Sequence, residues 1–167
     1  MKFSVAIFLL ATLTSQTYAV KPYLIKSVEN NLFLKHSGGD YWHVDLTFGR
    51  LSVGQNFDFT FEPAYDDPRF YHVAQITEFL RHYVYCDPPE NGTVCYATPF
   101  VDLNLRQKFE LVDLDGQTMF SDPDSGLVLS NEKNVLKLAF PTGGNDQRFI
   151  LSEDKGPRDC IHNVCEQ

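Results

Sequence analysis

The chain has 167 residues, of which 43% are hydrophobic, 14% aromatic and 22% charged, and 14 basic against 22 acidic side chains leave a formal charge of −8. Ten Gly, nine Pro and four Cys are too few for a collagen-like, low-complexity or disulfide-saturated chain, so the composition is that of one globular domain. The acidic excess argues against DNA, RNA and anionic membranes as partners, because phosphate binding is driven by Lys and Arg displacing counterions.

In chain order, Met1 to Ala19 comes first. It has one positive residue, Lys2, an apolar stretch from Phe3 to Leu13 broken only by Ser4 and Thr12, and the small residues Thr17 and Ala19 before the expected cut. A bilayer span wants about 20 apolar residues, so this pattern predicts a secretory signal peptide; a membrane anchor or a buried strand is the alternative. Cleavage after Ala19 removes Lys2 and takes the charge from −8 to −9. No later apolar run is long enough to stop transfer, and the polar end His162 to Gln167 does not suit a lipid-anchor signal. The mature domain, 20–167, is expected to be secreted, extracellular and monomeric.

Secretion lets thiols pair. Cys86 and Cys95 bracket a Pro-Pro-containing loop, and Cys160 and Cys165 bracket a short gap in the tail 155–167. Four cysteines allow three pairings; sequence proximity favours 86–95 with 160–165, the alternative being a tail cysteine that reaches back to Cys86 or Cys95. These spacings do not suit paired zinc knuckles. Asn91-Gly92-Thr93, inside the first loop, is a glycosylation sequon.

A short unit returns three times: Gln55-Asn56-Phe57-Asp58-Phe59, Gln107-Lys108-Phe109-Glu110-Leu111 and Gln147-Arg148-Phe149-Ile150-Leu151. Residues two apart in a strand share a face, so each unit reads as a strand that feeds a core. Alternating runs precede the units, among them Trp42, Val44, Leu46 and Phe48, and Leu136, Leu138 and Phe140. Shorter apolar runs at 23–25, 32–34, 70–76 and 79–84 come before or between these, with turn signals at 29–31, 37–40, 122–126 and 143–146. No segment sustains a helical period. The pattern predicts about twelve short strands in three pseudo-repeats, roughly 20–64, 65–114 and 115–154: an all-β fold of the β-trefoil type, with a two-sheet sandwich as the alternative. One four-strand unit cannot bury its own apolar side, whereas three around an axis share a core that the fourteen Phe can fill. The longer second repeat is expected to carry the cysteine loop as a surface insertion.

The run Gly126-Leu127-Val128-Leu129 through Gly143-Gly144-Asn145-Asp146-Gln147-Arg148-Phe149 resembles a repeat of the ricin-B-type trefoil lectins, with Phe in place of the family's Trp. The likeness reaches the other two repeats only through Gln-x-Phe. It implies sugar contacts at Asn145 and Asp146, just ahead of the marker Gln. Val53 and Leu105 stand at the place of Asn145 in the other repeats, and the carboxylate the family carries near the start of a repeat is not found at Val128 or Phe33. Trefoil protease inhibitors are similar in size, acidity and disulfide economy.

No G-x-S-x-G, H-E-x-x-H, P-loop or G-x-G-x-x-G motif is present. His36, His43, His72, His82 and His162 are scattered, and structural or surface roles are expected for them. Asp113, Asp115, Asp122 and Asp124 do not follow the EF-hand order and are expected to be solvated loop charge. Neither catalysis, a metal nor a cofactor is therefore expected. Sugar binding needs an aromatic face flanked by carboxylates or amides, which Asp40-Tyr41-Trp42-His43 offers beside a Gly-Gly turn; Tyr41 and His43 would face outward if Trp42 faces in, and the alternative is that both Tyr41 and Trp42 are packing residues. A preorganised docking loop for a protease could be 86–95, Tyr65 to Pro68, or Asp122 to Asp124. The expected function is a non-enzymatic binding module for an extracellular glycan, through Tyr41, Trp42, His43, Asn145 and Asp146. The runner-up is a trefoil-type protease inhibitor, followed by a receptor-binding or matrix protein.

Overall fold

The computed structural model describes residues 21–40, 42–52, 57–76, 80–99, 107–154, 160–161 and 164–165. The alternating runs form short antiparallel strands: β1 (Tyr23–Ser27), β2 (Phe33–Gly39), β3 (Val44–Gly49), β4 (Phe59–Pro63), β5 (Phe70–Ile76), β6 (Arg81–Tyr85), β7 (Tyr96–Thr98), β8 (Phe109–Leu114), β9 (Gln117–Ser121), β10 (Val128–Glu132), β11 (Val135–Ala139) and β12 (Phe149–Glu153). A two-stranded ribbon, β13 (Cys160–Ile161) and β14 (Val164–Cys165), sets Cys160 opposite Cys165. Among the described residues one 3-10 turn, Asn145–Gln147, is the sole helical element.

Six of the strands close on themselves. β1 pairs with β4, β4 with β5, β5 with β8, β8 with β9, β9 with β12, and β12 returns to β1. Closure removes the unpaired edges that an open sheet would expose. The other six form the hairpins β2–β3, β6–β7 and β10–β11. These hairpins join one another over one end of the barrel, β3 to β7 at Val44↔Ala97 and Asp45↔Tyr96, β11 to β3 at Val135↔Thr47, and Val94 to Lys137 of β11. A six-strand barrel capped by three hairpins is the β-trefoil arrangement and rules out the two-sheet sandwich.

The recurrent Phe residues fill it. Phe57, Phe59, Phe109 and Phe149 are all fully buried. Phe59, Phe109, Phe120 and Phe149 belong to the main cluster with Ile25, Leu34, Phe48 and Leu138, whereas Phe57 packs in a smaller one with Leu24 and Leu51. Two hairpin turns, Asp115-Gly116 and Lys133-Asn134, have positive φ at both central residues, the geometry that matches strand twist.

The two described marker glutamines are built into the backbone differently: Gln147 clamps the turn before its strand, and Gln107 ties two distant loops together. Gln147 is buried; its Oε1 accepts the backbone N–H groups of Thr142 at 2.8 Å and Gly143 at 3.0 Å, and its Nε2 donates to the Phe140 carbonyl at 2.8 Å. Gln107 Oε1 accepts the Cys86 N–H at 2.8 Å while its Nε2 donates to Asp122 at 2.7 Å. Gln55 lies outside the described residues.

Three expectations change. Phe140 does not continue the inward row of Leu136 and Leu138: β11 ends at Ala139, the chain leaves the sheet for the turn held by Gln147, and Phe140 is 65% exposed. The cysteine loop is not a simple surface insertion. Its outer residues are exposed, but Cys86 and Cys95 are buried in the core cluster, and residues 92–95 are zipped to β11 through Gly92 N–H to Leu138 O, Leu138 N–H to Thr93 O and Cys95 N–H to Leu136 O. Asp122 is not solvated charge. It is buried and accepts hydrogen bonds from Gln107, the Asp124 N–H and Ser125 Oγ.

Gln147→Leu keeps the volume but strands two amides and a carbonyl of a partly shielded turn. At roughly 1 kcal/mol for each lost partner, a urea melt should show a loss of about 3 kcal/mol, equivalent to roughly 9 °C in Tm. A change within about 0.5 kcal/mol, as at an ordinary surface site, would contradict the clamp.

Candidate functional site

The β2–β3 hairpin tip is set by one glycine and one aspartate. Gly39 has φ +105°, and a Cβ there would lie 2.0 Å from the His43 carbonyl oxygen, so no side chain fits. Asp40 Oδ1 accepts the N–H groups of Trp42 at 2.8 Å and His43 at 2.9 Å, and the Asp40 N–H donates to His43 O at 2.9 Å. This Asx turn lifts Trp42 off the sheet before β3 begins at Val44. Trp42 is 58% exposed, contrary to the expectation that it joins the inward row of Val44, Leu46 and Phe48. Tyr41 lies outside the described residues.

Strand register then gathers a surface around the tip. Val44 of β3, Ala97 of β7 and Val84 of β6 are paired in a row and buried. The neighbouring row, Asp45, Tyr96 and Tyr85, must therefore face outward, because side chains alternate along a strand. Asp45 is exposed and the two tyrosines are half-buried. The His43 ring stacks on Tyr96, with centroids 4.0 Å apart and planes at 18°, and Tyr96 meets Tyr85 edge-on at 5.8 Å. His43 Nε2 lies 3.5 Å from Asp45 Oδ1, an ion pair when the imidazole is protonated. Burial, followed by the charges of Tyr85 and Asp87, pushes the Tyr96 hydroxyl above its ordinary value; burial and Asp87 do the same for Tyr85. Both stay protonated donors throughout the neutral range. The result is an aromatic shelf of His43, Tyr96 and Tyr85, flanked by the carboxylates of Asp45 and Asp87, with the exposed Trp42 next in sequence to His43.

A disulfide fixes the shelf. Cys86 and Cys95, bonded with Cα atoms 4.3 Å apart, follow Tyr85 and precede Tyr96, so the covalent bridge sits one residue from the paired tyrosines. Gln107, which accepts the Cys86 N–H, ties the same point to Asp122. The sequence pointed to Trp42 and His43 for this surface and not to Tyr85, Tyr96, Asp45 or Asp87, which the strand pairing brings beside His43. Their signal was present as Tyr-Cys and Cys-Tyr at the two ends of one disulfide loop.

The second expected site is built differently. Asn145 is exposed in the 3-10 turn, but Asp146 accepts a hydrogen bond from Ser130 Oγ of β10 at 2.7 Å, which ties the turn to the sheet. The structure does not bring Asn145 and Asp146 into the Trp42 shelf. Among the other histidines, His72 and His82 are buried; His72 Nδ1 donates to the Gln107 carbonyl and its ring packs edge-on to Tyr83. His36 Nε2 donates to Gly38 O, and His162 lies outside the described residues. Among the described residues no three His, Cys, Asp or Glu side chains are placed to hold a metal, and no helix is long and apolar enough to cross a membrane.

Loop 64–69 is also ordered. The Ala64 N–H donates to Phe70 O, Asp67 accepts the Arg69 backbone N–H and guanidinium, and Lys108 binds Asp66. Tyr65, at full exposure, projects from it.

Removing the bridge with Cys86→Ala and Cys95→Ala should cost about 3 kcal/mol, since both a closed loop and two core groups are lost. The aromatic near-UV circular dichroism of the tyrosine pair should weaken before global unfolding. Retention of that signal at full strength would mean that the strands alone hold the shelf.

No protein-family model and no curated protein matches the chain. Solved structures do. A designed three-fold symmetric protein, ThreeFoil, is similar with a TM-score of 0.67 at 15% identity, over 79% of this chain and 98% of that one. The Rhizoctonia solani agglutinin is similar with a TM-score of 0.67 at 12% identity, over 81% and 96%. SeviL, solved bound to asialo-GM1 saccharide, is similar with a TM-score of 0.58 at 13% identity, over 80% and 98%. An endo-β-galactosidase from Clostridium perfringens and an exo-β-1,3-galactanase from Clostridium thermocellum match over 33% and 30% of their own lengths, and Culex salivary proteins match as well, so the likeness carries the architecture alone. By its closed barrel, its three-hairpin cap and these likenesses, the chain has the β-trefoil fold.

Proposed function

We propose that this protein is a secreted, non-enzymatic carbohydrate-binding module, and that its ligand seats on the shelf of His43, Tyr96 and Tyr85 and on Trp42. The observation that carries the reading is the exposed Trp42 next in sequence to a stacked His43–Tyr96 pair with Asp45 on the same outward face. A sugar ring offers an apolar C–H face to an aromatic plane and hydroxyls around its rim. Tyr85 and Tyr96 can donate to those hydroxyls, and Asp45 and Asp87 can accept from them. Asx and disulfide constraints hold the groups before the ligand arrives, which lowers the ordering cost of binding. Saccharide-bound SeviL and the Rhizoctonia agglutinin support the class by analogy of fold alone. Asn145 remains a weaker second place, since its neighbour Asp146 is engaged by Ser130.

The loop 64–69 favours one other reading, a protease inhibitor that docks Tyr65. A fully exposed aromatic on a loop pinned by Asp67–Arg69 and Asp66–Lys108 has the stiffness such docking needs. The Arg69 hydrogen bonds hold the Asp67 carboxyl down to about 2 from 3.8. A carboxyl depressed in the folded state contributes stability above its unfolded value and loses it as pH falls through the folded one. The Asp67 contribution is therefore whole at neutral pH and disappears between about pH 4 and about pH 2. A carboxyl-carbon NMR titration should place the Asp67 midpoint well below 3.8; a midpoint near 3.8 would mean that the loop is not pinned.

The two readings part on a glycan array run with secreted protein alongside protease inhibition assays. The lectin reading expects retention of the wild type, and loss of at least about tenfold in affinity for Trp42→Ala at a stability change within about 0.5 kcal/mol. A silent array with stoichiometric block of a protease, abolished by Tyr65→Ala, would replace it.

A further inference from the structure

Phe140 and Val94 are large apolar side chains left 65% and 52% exposed, Phe140 just past the end of β11 and Val94 on the segment paired with that strand. Each leaves apolar surface in water that a covering group would shield. The segment Asn91–Cys95 runs alongside β11, with Gly92 bonded to Leu138 and Val94 opposite Lys137. At its head, Asn91 Oδ1 accepts the backbone N–H of Phe140 at 3.2 Å. Asn91 is exposed, Gly92 has φ +89° with open space around it, and the triplet Asn91-Gly92-Thr93 is a sequon. The hydrogen bond uses the carbonyl oxygen of the amide. The nitrogen, which a sugar would modify, is on the same amide as the oxygen that holds the Phe140 N–H.

We infer that Asn91 carries an N-linked glycan whose first sugars lie over Phe140 and Val94, so that the glycan completes the surface of the barrel cap. Transfer needs a lipid diphosphate-linked oligosaccharide as donor and the secretory passage expected from Met1–Ala19. One bond forms, from Asn91 Nδ2 to the anomeric carbon; the nitrogen gives up one proton, and the lipid diphosphate leaves with the bonding electron pair. The apolar face of the first N-acetylhexosamine then shields the Phe140 ring from water, a gain that scales with the area covered. Such a glycan also stands between the 86–95 loop and any protease cleft.

The test expresses the full chain in a secreting eukaryotic cell line in four forms: wild type, Thr93→Ala, Phe140→Ser and the double variant. Thr93→Ala removes the sequon and leaves the Asn91–Phe140 bond in place. Mass spectrometry of the peptide spanning Asn91 should show occupancy in the wild type and none in Thr93→Ala. Loss of the glycan should lower Tm by about 3 °C in the wild-type background and by less than about 1 °C in the Phe140→Ser background. An unoccupied Asn91, or the same drop in both backgrounds, overturns the inference. Should Phe140→Ser fail to be secreted, enzymatic removal of the glycan from native wild type decides: binding of a hydrophobic dye should rise, and no rise overturns it.

Discussion

The return of β12 to β1 is the contact on which the rest of the molecule depends. Five residue pairs, Tyr23↔Glu153 to Ser27↔Phe149, join the two ends of the folded chain and turn an open sheet into a ring. A ring of short strands is held from inside only if large side chains reach the axis from every part of it. Phe59 on β4, Phe109 on β8, Phe120 on β9 and Phe149 on β12 do so, and all are buried. The ring in turn supplies the platform for the three hairpins, whose second strands cannot meet over the barrel end unless the barrel is closed.

The shelf is a consequence of that meeting. Where β3 touches β7, one row of the pleat must go inward and the next outward. Because Val44, Ala97 and Val84 satisfy the core, Asp45, Tyr96 and Tyr85 are delivered to solvent as a set. The disulfide and Gln107 hold this corner to the rest of the fold, and the Asp40 turn leaves Trp42 exposed beside His43 in the chain. In the proposed reading the binding surface is the corner where hairpins adjoin, with the core phenylalanines as support.

The fold was legible in the sequence because its determinants are local and repeated. Gln107-x-Phe109 and Gln147-x-Phe149 read as strands that feed a core, and in both the Phe is buried in the main cluster. The first copy is harder to read: Phe57 falls in a side cluster, and Phe59, two residues on, takes the place in the main core. The site was legible only in part. Trp42 and His43 sit beside a turn signal, so composition exposes them, but the partners Tyr96 and Tyr85 arrive through pairing between distant strands. Alternation misplaced Trp42 and Phe140 because each lies one or two residues beyond a strand end, where a side-chain hydrogen bond, from Asp40 or Gln147, redirects the chain. Asp122 was misread for a related reason: its partner Gln107 is fifteen residues away, and nothing local marks it as buried.

The most direct measurement is a two-dimensional NMR titration of the isotopically labelled protein with a saccharide retained from the array, following backbone amides and aromatic side chains together. The account predicts shifts concentrated at the Trp42 indole, the rings of His43, Tyr85 and Tyr96, and the amides of Asp45 and Asp87, with the Asn145–Gln147 turn and loop 64–69 unmoved. Shifts centred on that turn or that loop, with the Trp42 indole unchanged, would contradict it.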